Sequence, residues 1–123
     1  MKTVFVASSR KFYDKVKEIK DRLDKLGIKG FYPYFDFHDD DVETDEELKK
    51  KLTLGHFPEL DQADVLYVYA KDGYVGSSVT IETAYAYAKG KEIISSEPIA
   101  DFAVRAIVSK TMTPPEFMDY ISQ

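Results

Sequence analysis

The sequence predicts an α/β protein: a doubly wound, mostly parallel sheet of four to five strands within a single domain. Three observations carry this. Short apolar, β-rich runs recur at residues 3–8, 64–70 and 91–95. The stretches between them carry apolar residues at helical spacing, and strand and helix alternate along the whole chain.

Taken in order, "TVFVAS" (3–8) reads as a buried parallel strand, apolar without alternation. From Arg10 the period changes: Phe12, Val16, Ile19, Leu23 and Leu26 form one apolar stripe, with Gly27 placed to end the helix. "IKGFYPYFDF" (28–37) is β-branched and aromatic, and Pro33 confines it to an edge or a strand end. "HDDDVETDEE" (38–47) is an acidic loop, from which Thr44 and Glu47 form a T-x-x-E capping box opening a helix to about Leu54. "DVLYVYA" (64–70) is the clearest central strand, followed by the glycine-punctuated loop "KDGYVGSS" (71–78). Ile81, Ala84, Tyr85 and Ala88 give the next helical stripe, closing at Gly90, and "KEIIS" (91–95) the next strand. A helix is expected over 97–109, with Pro98 near its start. Thr113, Pro114 and Glu116 then open a last short helix through a second capping box.

This order is that of Rossmann-like and flavodoxin-like proteins, which bind ligands at the carboxyl ends of their strands. The loops at 8–13, 34–40, 53–58, 70–79 and 95–98 are therefore the places to look for a site.

Composition narrows the function. At 123 residues the chain is one domain, able to bury about two-thirds of its unfolded surface. The net charge of −5, without a basic stripe, argues against nucleic-acid binding; "LKKKL" (48–52) is the far end of one solvated helix. With no cysteine there is no disulfide framework, thiol nucleophile or cysteine-based metal site. The apolar start "MKTVFVASS" is too short for a signal segment, and no run approaches the ~18 apolar residues of a membrane span. A soluble, cytoplasmic protein is expected. Neither G-x-G-x-x-G nor G-x-x-x-x-G-K-[ST] occurs, so no dinucleotide cofactor or P-loop is implied. The two histidines, His38 and His56, are too sparse to argue a metal site, and the acidic loop lacks the glycine and alternation of a calcium loop.

Several residues remain as site candidates. Ser8, Ser9 and Arg10 follow the first strand, where hydroxyls, a guanidinium and free helix amides suit an anion such as a phosphate; Ser9 equally suits an N-cap. Asp36 ends the second strand among aromatic rings that either pack a core or interface or stack on a planar base. His56, in "LTLGHFPEL", is placed just after a helix in a ligand-facing loop. Gly76, Ser77 and Ser78 precede the helix that carries Glu82, a lone acid in a run of small and aromatic residues.

The block "LDQADVLYVYAKDGYVGSSVTIETAYAYAKGKEII" (60–94) resembles the nucleoside 2-deoxyribosyltransferase family and the related deoxynucleoside-monophosphate N-glycosidases. The shared frame is Ala63-Asp64 entering the strand 65–70, a loop with Gly73 and Gly76, Glu82 on the following helix, Ala84 and Ala86 with Gly90-Lys91, then Ile93-Ile94. The resemblance implies that Glu82 is a nucleophile attacking the anomeric carbon of a (deoxy)ribosyl group, the base leaving and the glycosyl-enzyme being resolved by another base or by water. It also implies no cofactor, a small-molecule nucleoside or nucleotide as substrate, and a homodimer or larger assembly. A helix N-terminus is expected to favour the ionised form of Glu82, and Asp72 is the loop acid expected to protonate the departing base. His56 falls where the family often has a catalytic aspartate; a histidine there can act as an acid at neutral pH. Val4 and Phe5 stand where members often have a tyrosine. Two other functions suit the same fold: a TIR-like NAD hydrolase, whose catalytic glutamate also follows a serine-containing loop, and a non-catalytic nucleotide-binding or interaction protein.

Overall fold

A computed structural model describes residues 1–35 and 44–123. Its centre is β1 (Val4–Ala7), β3 (Val65–Val68) and β4 (Glu92–Ser95), flanked by two-residue strands β2 (Gly30–Phe31) and β5 (Lys110–Thr111). All pairings are parallel and the order is β2-β1-β3-β4-β5. β1 and β3 are buried at every position, which is why neither shows polar alternation in sequence.

The pleat divides the core in two. Val4 and Val6 of β1, with Val65 and Tyr67 of β3, pack under α1 (Tyr13–Lys25) and the C-terminal helix α5 (Pro114–Ile121). Phe5, Ala7, Leu66 and Val68 point the other way, under α2 (Glu46–Gln62), α3 (Ser77–Ala88) and the short α4 (Phe102–Arg105). On the first face Tyr67 stacks on Phe117 at 4.0 Å and donates its hydroxyl to the Met112 carbonyl at 2.8 Å. The doubly wound parallel sheet predicted from sequence is thus present. It has five strands, because Lys110–Thr111 adds an exposed edge that no apolar run announces.

Other elements differ from expectation for local reasons. A 3₁₀ turn (Arg10–Phe12) precedes α1, and Ser9 does not cap it with its side chain. Gly27 ends α1 at φ +70°, as predicted. Among the described residues of the strand expected over 28–37, only Gly30 and Phe31 pair, since Pro33 has no N–H to extend the ladder. α2 is capped by Asp45, whose Oδ1 accepts from the Leu48 N–H at 3.0 Å, rather than by Thr44. It continues eight residues past Leu54, through Gly55 and Pro58, to Gln62. The helix expected over 97–109 shrinks to Phe102–Arg105. The Glu97 carboxylate and the Ala100 backbone instead fasten the loop after β3: Gly73 N–H donates to Glu97 Oε1 at 2.6 Å, and Ala100 N–H to the Gly73 carbonyl at 2.9 Å. The second capping box forms as read, with reciprocal bonds between Thr113 and Glu116.

Among the described residues, no helix is long and apolar enough to cross a membrane.

Candidate active site

From β1 the chain winds through α1 to β2 on one side, and then crosses to β3 on the other. The crevice between β1 and β3 is therefore the switch point of the sheet, where the loops above the strand ends diverge and leave room for a ligand. A cleft of about 300 Å³ occupies it. The loop after β1 contributes Ser8, Ser9 and Arg10, α2 contributes Lys49, Thr53 and His56, and Tyr34 enters from beyond β2. The start of α3 adds Gly76, Ser77 and Ser78, and Glu82 lies deeper. Ser9 Oγ accepts from the Gly76 N–H at 3.2 Å, tying the loop after β1 to the N-cap of α3 across the switch point.

Helix α3 is rotated relative to its expected stripe. Ile81 and Ala84 are exposed, whereas Val79, Glu82, Thr83 and Ala86 form the buried face. A helix composed largely of small and aromatic residues gives its apolar pattern no single face, so the stripe expected from Ile81, Ala84, Tyr85 and Ala88 left Glu82 outside it. Glu82 is instead within the buried face, on the second turn, and only 6 % exposed. Burial, reinforced by the charge of Glu59 and opposed by Lys49, pushes the Glu82 carboxyl up to about 8. This reverses the expectation that the helix end keeps Glu82 ionised: beyond the first turn the dipole is weak, and desolvation dominates.

His56 is the second departure. It lies within α2, not in a loop after it, and is 8 % exposed. Its Nε2 is 3.7 Å from Glu82 Oε2, and its Nδ1 is 3.1 Å from Glu59 Oε1. An ionised carboxylate can only accept, so the Glu59 contact places a proton on Nδ1 and turns the Nε2 lone pair of the neutral ring toward Glu82. Tyr34 stacks on the imidazole at 4.4 Å and donates to Glu59 Oε1 at 3.3 Å, while Phe5 of β1 meets the ring edge-on at 5.1 Å. Burial lowers the His56 pKa against the raising influence of Glu59. Burial also raises that of Tyr34, with the neighbouring carboxylates acting in the same direction, so its hydroxyl remains a donor.

The structure thus brings Ser8, Ser9, Arg10, His56, Gly76, Ser77, Ser78 and Glu82 to one cleft. Asp72 is not among its lining residues: it is exposed, in a left-handed turn at φ +58°. Asp36 and His38 lie outside the described residues. Glu59, Tyr34 and Lys49 were not singled out by sequence. The His56-x-x-Glu59 spacing was the available signal for Glu59, because residues three apart share a helix face, but it is visible only once α2 is carried past Gly55. Among the described residues, no group of three or more His, Cys, Asp or Glu side chains is placed to hold a metal ion.

Fold and site together define a flavodoxin-like α/β protein whose switch-point cleft holds a carboxylate–imidazole–carboxylate chain. No family model and no curated protein matches the chain. Solved structures do. A 2-deoxyribosyltransferase from Bacillus psychrosaccharolyticus is similar with a TM-score of 0.73 at 16% identity, over 96% of this chain and 91% of that one. A conserved protein from Enterococcus faecalis V583 gives 0.69 at 14%, over 100% and 98%. A CMP N-glycosidase from Clostridium botulinum gives 0.59 at 19%, over 98% of each. The chain shares the fold of these proteins.

Proposed function

We propose that this protein breaks the N-glycosidic bond of a (deoxy)nucleoside or (deoxy)nucleoside monophosphate, with Glu82 as nucleophile. The observation that carries the reading is the burial of Glu82 in the wall of the switch-point cleft, on a fold shared with a 2-deoxyribosyltransferase and a CMP N-glycosidase. A carboxyl in a buried helix stripe opposes folding unless it is neutral or well paired, so chemistry accounts for it better than packing does. Once ionised, a Glu82 oxygen attacks C1′ as the C1′–N bond breaks, and the base leaves with the bonding pair. The glycosyl ester is then taken by an acceptor base or by water. Ser8, Ser9 and Arg10 face Ser77 and Ser78 across the cleft, supplying hydroxyls and a guanidinium for sugar oxygens or a 5′-phosphate. Asp72 lies outside the cleft and so is not placed to protonate a departing base.

The test is a panel of deoxynucleosides, deoxynucleoside monophosphates and NAD, incubated with and without an acceptor base and analysed by chromatography. Free base is expected from a nucleoside or nucleotide, and Glu82→Ala should reduce its release by at least about 10³-fold. Undiminished release by that variant overturns the nucleophile. Cleavage confined to NAD would point to a TIR-like hydrolase, and no release at all to a binding protein.

A further inference from the structure

Glu82 cannot attack while it holds a proton, and its surroundings favour the protonated form. Resting on the nucleophile reading above, we propose that His56, backed by Glu59, is the positioning residue that ionises Glu82 by accepting its proton within the buried site. The geometry supports a base directed at the nucleophile rather than an acid directed at the departing base. A retaining pair that flanks an anomeric carbon stands roughly 5–5.5 Å apart. His56 Nε2 and Glu82 Oε2 are 3.7 Å apart, which leaves no room for a sugar carbon between them. That separation is about half an ångström beyond hydrogen-bond distance. The other face of the imidazole is already committed, Nδ1 to Glu59 at 3.1 Å, with Tyr34 fixing both the ring plane and the Glu59 oxygen. This is the arrangement by which a buried acid sets the tautomer of a histidine and stabilises its cation.

The proton balance closes. The Glu82 O–H bond breaks with its electron pair left on Oε2, and a new N–H bond forms from the Nε2 lone pair. The imidazolium then sits between two carboxylates. The carboxylate attacks C1′, the departing base takes a proton from solvent, and the water that later resolves the ester returns one. His56 and Glu82 keep a single shared proton throughout. Among the described residues, the charged and titratable groups around this pair are Lys49 and Glu59 from α2, Tyr34 from beyond β2, and Arg10, Lys11, Tyr13 and Tyr74, which line the same cleft. Phe5 of β1 adds no charge.

The decisive measurement compares wild type with His56→Gln, which keeps an amide near Nε2 but cannot take a proton. Single-turnover base release by His56→Gln should fall below wild type near pH 6, with the deficit shrinking as pH rises and coming within a few-fold near pH 9, where Glu82 ionises unaided. Glu59→Gln, altered at a less buried site, should show a smaller deficit with the same trend. In parallel, carboxyl ¹³C and imidazole ¹⁵N shifts are followed by NMR in the ligand-free proteins. Glu82 and His56 should titrate together in wild type, and Glu82 should titrate at higher pH in His56→Gln. A pH-independent loss of rate, or a Glu82 titration unmoved by either substitution, overturns the proposal. The NMR arm requires no turnover, so it decides the proton relay even if wild type releases no base and the nucleophile reading falls.

Discussion

Replacing Glu82 with glutamine should make the protein more stable, and by an amount that depends on pH in a defined window. In the unfolded chain the carboxyl loses its proton near its ordinary value of 4.5, whereas in the folded protein burial holds the proton to about 8. Between these values the folded state binds more protons than the unfolded state, so stability falls as pH rises. The contribution is fully present below about 4.5, erodes by about 1.4 kcal/mol per pH unit, and is gone above about 8. A shift of that size corresponds to about 5 kcal/mol, comparable with the whole stability of a modest domain. Because Glu82 is only 6 % exposed, solvent screening does not reduce it much. His56, also held toward its neutral form by burial, offers no counter-charge until a proton moves.

The assay is urea unfolding of wild type and Glu82→Gln at fixed ionic strength from about pH 5 to pH 9. Glutamine has nearly the same shape and does not ionise, so titrating groups remote from Glu82 cancel in the difference, and the curve reads the Glu82–His56 pair. The two proteins should be close in stability at the acid end. The variant should then gain progressively, by several kcal/mol at the alkaline end, while losing base release. Parallel curves, or a variant losing ground as pH rises, would refute the account of Glu82 as a carboxyl kept neutral by burial.

Two further outcomes follow from local geometry. Thr113→Ala removes the hydroxyl that accepts from the Glu116 N–H at the start of α5 and should cost about 1 kcal/mol in urea unfolding; an unchanged midpoint would mean that the box does not hold the helix. Gly73→Ala places a methyl 2.7 Å from the Ala100 nitrogen at φ +73°, so a loss of about 2 kcal/mol is expected in thermal or urea melts, and a neutral result would show that the loop after β3 yields freely.

What could be read from sequence follows the physics of each element. β1, β3 and β4 were legible because strands covered on both faces need no polar alternation, and α1 because Val16, Ile19 and Leu23 form one buried stripe. β2 and β5 were poorly legible because two paired residues at a sheet edge impose almost no pattern. Of the carboxyl-end loops expected from topology, those at 8–13 and 70–79 line the cleft, which brings Ser8, Ser9, Arg10, Gly76, Ser77 and Ser78 near Glu82, whereas 53–58 is helical and 95–98 does not line it. Asp72 lies nearby in sequence but sits in a left-handed turn away from the cleft, a matter of loop conformation that no periodicity encodes.

The largest error, ending α2 at Leu54, lies where local preference and site assembly conflict. Gly55 and Pro58 are helix-breaking signals on their own, and Pro58 has no N–H to return to the Leu54 carbonyl. The helix nevertheless continues, because Leu60 and the following Ala63 are buried in the core beneath the second face of the sheet. The continuation places His56 and Glu59 one turn apart, and Gly55 has a spatial use: a Cβ there would stand 3.1 Å from the Tyr34 hydroxyl. That hydroxyl is the one that donates to Glu59, on the ring that stacks against His56. The residue that reads as a stop signal thus gives clearance to the aromatic side chain that stacks on His56 and bonds to Glu59. A functional site is where local sequence rules are expected to give way, and here the break in the helical pattern falls beside the residues that surround Glu82 in the candidate cleft.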